Sequence, residues 1–78
     1  MKAAIDRAAD LASSLLAGAA YEDHQRQLRL EFHDGSRYLY FGVSADLFRQ
    51  LLCAPSKGSF FNRYIRGHFL YAKLPTKN

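Results

Sequence analysis

The feature that most restricts this chain is a run of alternating apolar and polar residues broken once by Asp34-Gly35. In Gln27-Leu28-Arg29-Leu30-Glu31-Phe32 a period of two puts Leu28, Leu30 and Phe32 on one side of a half-buried strand. Asp34 tolerates turn geometry and Gly35 accepts positive φ, so the chain reverses there and Arg37-Tyr38-Leu39-Tyr40-Phe41-Gly42-Val43 returns as the partner strand. Two registers are open. A two-residue turn sets Arg29 opposite Tyr40 and Glu31 opposite Tyr38, with both rings on the polar face. A three-residue loop, His33-Asp34-Gly35, sets Leu28 opposite Tyr40 and Leu30 opposite Tyr38 and moves both rings to the core side.

Helical signals flank this hairpin. Ser44 is a favoured N-cap and Asp46 suits the positive end of a helix, with Leu47, Phe48, Leu51 and Leu52 as the apolar side and Pro55 as the stop. A second short helix follows the turn Pro55-Ser56-Lys57-Gly58, capped by Ser59, buried through Phe60, Phe61, Tyr64 and Ile65, and ended by Gly67. Near the start, Ile5, Ala8, Ala9 and Ala12 recur at helical spacing and predict a helix over 3–12. From Ser13 to Tyr21 alanines favour helix while Ser13, Ser14 and Gly18 interrupt it, so pattern alone leaves that stretch undecided. The tail His68 to Leu74 reads as extended, with Phe69 and Tyr71 on one face.

At 78 residues there is room for one core only. Charge is uneven: residues 1–46 hold five lysines and arginines against seven acids, whereas 47–78 hold six basic residues and no acid. A concentration of positive charge raises encounter rates with polyanions; the competing reading is a solvated basic face that aids solubility. The single cysteine, Cys53, cannot form an internal disulfide, which fits a reducing compartment. Leu11 to Ala20 has the look of a signal-peptide core, but Asp6 and Asp10 oppose a positively charged leader, and no stretch has the apolar length of a membrane-spanning helix. The expectation is a cytoplasmic protein.

Taken in order, Ser13-Ser14, Tyr21-Glu22, the strand Leu28 to Phe32, Gly35, Tyr38-Leu39-Tyr40, the helix Leu47 to Leu52, Ala54-Pro55-Ser56-Lys57-Gly58 and Ile65-Arg66-Gly67 resemble the KTSC domain. The chain departs from that pattern at Ser44, where proline is usual, and in lacking a glycine just before Tyr21. The resemblance implies a compact domain that occurs alone in bacterial proteins and at the C-terminus of some lysyl-tRNA synthetases, a setting that suggests RNA binding. It also implies a strand after Ser13-Ser14 and, through the polar residue usual between the two tyrosines, favours the three-residue loop. The expected fold is therefore α+β: a three-stranded antiparallel meander at 14–22, 27–33 and 37–43, packed against two short helices at 45–53 and 59–66. An extra N-terminal helix occupies residues 1–12, the domain spans 13–74, and residues 75–78 fray.

Two groupings carry chemistry. Ser56-Lys57-Gly58-Ser59, opening a helix that bears Arg63 and Arg66, combines unpaired N–H groups, close backbone approach and cations suited to a phosphate; the competing reading is a tight turn with solvated charges. Tyr38, Tyr40, Tyr64 and Tyr71 beside Arg37 suggest a stacking platform for unpaired bases, against the alternative of ordinary core aromatics. His24, His33 and His68 lie in separate elements, with no paired carboxylates and no metal-spaced cluster, so no catalytic residue, metal or cofactor is expected. The expectation is a small non-enzymatic binding module that takes RNA or another polyanion through Arg37, Tyr38, Tyr40, Ser56, Lys57, Gly58, Arg63 and Arg66. The alternative is a protein-interaction or homodimerisation module using exposed aromatics and a free sheet edge.

Overall fold

In a computed structural model, which describes residues 7–10 and 14–75, the hairpin closes through the three-residue loop. Strand β3 (Gln27–Phe32) pairs with β4 (Arg37–Phe41) so that Leu28 faces Tyr40 and Leu30 faces Tyr38. Phe32 and Ser36 close the loop: the Ser36 carbonyl accepts from the Phe32 N–H at 2.9 Å, and Gly35 sits at φ 90. Only a residue without a Cβ adopts that conformation freely, which is why glycine ends the loop.

The meander is longer than three strands. Strand β2 (Leu16–Glu22) pairs with β3, and two further strands, β1 (Arg7–Asp10) and β5 (Tyr71–Leu74), extend the edges to give one antiparallel sheet in the order β1-β2-β3-β4-β5. The helix expected over 3–12 is corrected at Arg7–Asp10, which pair with Gly18 to Tyr21; the remainder of that expectation lies outside the described residues, as does most of the frayed tail. Alanine's helical preference amounts to a few tenths of a kcal/mol per residue, and four residues cannot outweigh a ladder offered by a neighbouring strand.

Helix α1 (Ala45–Cys53) begins where Ser44 accepts a hydrogen bond from the Leu47 N–H, and its apolar side sends Phe48 and Leu51 into the core. Phe48 stacks on Tyr21 at 5.1 Å, and the Tyr21 hydroxyl donates to the Val43 carbonyl at 2.6 Å, so this buried ring leaves no polar atom orphaned. Leu16, Leu28, Leu30, Val43 and Ile65 complete the core between sheet and helices.

The second helical run is α2 (Lys57–Phe60) continued by a π-helical turn, Phe61–Ile65, in which the Arg66 N–H donates to the Phe61 carbonyl at 2.8 Å. It starts two residues before the expected 59, and its cap is Ser56, not Ser59. The wider turn keeps Phe61 and Ile65 buried but leaves Tyr64 outside, 46% exposed and packed on Phe60. Gly67, at φ 79, lets the chain leave the run and enter β5.

Candidate functional site

Alternation along β4 decides which face each side chain takes. Tyr38 and Tyr40 share the helix-covered face with Leu28 and Leu30, while Arg37 belongs to the opposite face. Antiparallel pairing with β5 adds Tyr71 beside Tyr40 and Lys73 beside Tyr38. The three tyrosines stand close together: ring centroids are 6.4 Å apart for Tyr38–Tyr40, 5.8 Å for Tyr38–Tyr71 and 5.8 Å for Tyr40–Tyr71. Phe32 meets Tyr38 edge-on at 5.7 Å, and Phe61 meets Phe32 at 5.3 Å and Tyr40 at 5.9 Å.

These rings floor an open groove of about 800 Å³, walled on one side by Asn62, Arg66 and Gly67 and rimmed at the hairpin by His33, Asp34 and Ser36. Its inner part is core and its outer part is accessible, since Tyr40 is 5% exposed and Tyr71 60%. Burial, together with the neighbouring Tyr38 and Tyr71 hydroxyls, pushes the Tyr40 phenol up to about 12, opposed by the Arg66 charge. Asp34 goes the other way: the side-chain and backbone hydrogen bonds from Ser36 hold its carboxyl below the usual range, so it is a fixed negative charge at neutral pH.

Of the residues singled out in the sequence, Tyr38, Tyr40, Tyr71 and Arg66 come together in this groove; Arg37, Tyr64, Ser56, Lys57, Gly58 and Arg63 are not among its lining. Arg37 donates to the Pro75 carbonyl at 2.8 Å from the other face of the sheet, so the cations beside the tyrosines are Arg66 and Lys73, the latter 6.0 Å from the Tyr38 ring centre. Ser56 caps α2 by accepting from the Ser59 N–H at 3.2 Å, and the Lys57 ammonium donates to the Ala54 carbonyl at 3.0 Å. Gly58 lies over Leu15, where an added Cβ would sit 3.4 Å from the Leu15 Cβ. Arg63 lies over the ring of Tyr64 at 5.6 Å. Among the described residues the ion pair joins Arg49 to Asp46, and no carboxylate neutralises Lys57, Arg63 or Arg66.

Sequence reasoning did not place Phe32, Phe61 and Asn62 at the site. Only the first two carried a signal, as apolar positions facing one core. Among the described residues no three His, Cys, Asp or Glu side chains come close enough to hold a metal ion, and no helix is long and apolar enough to cross a membrane.

A family model described as the KTSC domain matches residues 12–69, which holds β2 to β4, both helices and most of the groove. The chain belongs to the KTSC domain family. The crystal structure of a KTSC domain protein from Yersinia pestis is similar to it with a TM-score of 0.85 and 30% identity, covering 88% of this chain and 97% of that one. Among sequences, a lysine–tRNA ligase of a Nostoc species is 41% identical over 61 residues, which is 78% of this chain and 11% of the ligase. A protein of Tsukamurella paurometabola is 37% identical over 57 residues, 73% of this chain and 85% of that one. The chain thus spans about a tenth of the length of the ligases it matches, and a KTSC domain is what the two share.

Proposed function

We propose that this KTSC domain is a non-enzymatic module that binds single-stranded RNA, with unpaired bases against Tyr38, Tyr40 and Tyr71 and phosphates at Arg66, Arg63 and Lys73. The observation that carries this reading is the pairing of a partly open aromatic groove with an arginine in its wall whose charge no carboxylate cancels. Rings stack on bases of any identity, and an arginine beside them supplies the phosphate contact; single-strand binders combine these two elements. A related segment in proteins named lysine–tRNA ligases supports RNA as the partner. Lys57, held by the Ala54 carbonyl, and Ser56, used as a cap, contribute less than their sequence context suggested.

The test is a titration of labelled single-stranded RNA at several salt concentrations. Two or three phosphate contacts predict that log K falls with log salt by roughly 0.7 per contact. Binding that is undetectable, or that ignores salt, overturns the proposal.

A second reading has its own observation. Leu70 is 81% exposed beside edge strand β5, and Phe41 is 36% exposed nearby, which suits contact with a protein partner or a second copy. A species that stays strictly monomeric at high concentration and captures no partner would remove it.

A further inference from the structure

Beside its cations the groove carries a carboxylate that simple phosphate binding does not use. Arg66 stands near Tyr40, and at the hairpin end beyond Tyr38 the rim carries Asp34, the carboxylate among its lining residues. The ionised carboxylate is held in place. Its Oδ1 accepts from the Ser36 N–H at 2.9 Å and from the Ser36 hydroxyl at 2.6 Å, and neither bond uses Oδ2. With its phosphate at Arg66, beside Tyr40, a nucleotide stacked along the tyrosines has its base directed toward Asp34, whose charge the nearby Lys73 offsets only in part. What a free carboxylate oxygen accepts is an N–H.

Resting on the single-strand reading above, we infer that the groove discriminates between bases, favouring cytosine over uracil through a hydrogen bond from the exocyclic amino group to Asp34 Oδ2. Cytosine and uracil have the same outline and stack alike, so the tyrosines cannot tell them apart. They differ in the group at position 4. Cytosine presents an amino donor, for which a carboxylate is the matching acceptor, whereas uracil presents a carbonyl oxygen that faces the carboxylate as acceptor against acceptor. Asn62 is a weaker candidate for the same role, because its Oδ1 already accepts from Arg66 at 3.4 Å.

The experiment compares short oligocytidylate with oligouridylate on the wild-type chain and on Asp34→Asn. Asparagine keeps an acceptor oxygen for Ser36 and replaces the free oxygen with an amide donor, so the loop is retained while the reading atom changes from acceptor to donor. The wild type should prefer oligocytidylate by about fivefold. Asp34→Asn should reverse that order, and Asp34→Ala should abolish it. Equal wild-type affinities, or a cytidine preference that survives both substitutions, overturn the inference while leaving single-strand binding standing. An equal gain for both ligands on Asp34→Asn marks the carboxylate as a repelling charge only and overturns it too. Failure of both ligands to bind the wild type overturns the single-strand reading itself, and this inference with it.

Discussion

The two ends of the helical run Lys57 to Ile65 make an instructive pair. The start, Ser56 to Ser59, holds the richest local motif in the chain, yet its polar groups are consumed by the fold: Ser56 caps, Lys57 is bound to a carbonyl and Gly58 rests on Leu15. The finish holds Arg66, which lines the groove with aromatic rings from two strands distant in sequence and is free of any carboxylate. A side chain is available to a ligand only to the extent that folding leaves it unspent, and that is fixed by tertiary contacts more than by local composition.

The strongest way to break this contrast is through the residue that serves core and groove at once. Phe61 is buried against Phe32 and Tyr40. Phe61→Ala should cost about 3–5 kcal/mol in denaturant unfolding, most of the stability of a domain this small. Tyr71→Ala, at the exposed wall, should cost under about 1 kcal/mol while weakening RNA binding. Equal stability losses would mean that the rings form a closed core with no accessible face.

Charge reversal compares the two ends directly. Arg66→Glu should lower RNA affinity at least about tenfold and reduce the salt slope, whereas Lys57→Glu should change affinity by less than about threefold. The opposite ranking, measured in one titration series, would return the site to the start of the run.

Alkaline pH sharpens the picture of the inner groove. The Tyr40 phenol titrates near 10 in the unfolded chain and about 12 when folded, so between those values the unfolded state has released a proton that the native state still holds. Stability is then intact below pH 10 and falls as pH rises toward 12, by about 1–2 kcal/mol, since an open groove screens part of the full effect. Thermal unfolding of Tyr40→Phe should lack this contribution to the alkaline loss, and Arg66→Glu should steepen it.

Much of the frame was legible because it depends on neighbours in sequence. The alternation of β3, the Ser44 cap, the limits Ala45–Cys53 and a reversal at Asp34-Gly35 all follow from local pattern and turn chemistry, while the choice of the three-residue register came from the family resemblance. What escaped depends on distant partners. Arg7 to Asp10 form a strand only because Gly18 to Tyr21 lie alongside, and the tail, legible as extended, joins the sheet at Tyr71 to Leu74 only because β4 presents an edge. The groove was legible in parts: Tyr38, Tyr40, Tyr71 and Arg66 were marked, but as members of two separate sites. Their union requires the hairpin register, the fifth strand and the π-helical turn together, and no window of sequence contains all three.

The smallest expected effect is the most discriminating for the role of the motif at the start of the run. Ser56 Oγ accepts from the Ser59 N–H, an N-cap bond that satisfies one of the donors every helix start leaves open. Ser56→Ala should therefore cost about 1 kcal/mol of stability and leave RNA affinity within about twofold of wild type, with Ser56→Asp restoring the cap. Were Ser56 a phosphate ligand, aspartate would place a negative charge against the RNA and weaken binding sharply while stability recovered. Stability and affinity measured on the same two variants separate capping from contact, because the aspartate substitution restores stability in both cases and weakens binding only where Ser56 touches the RNA.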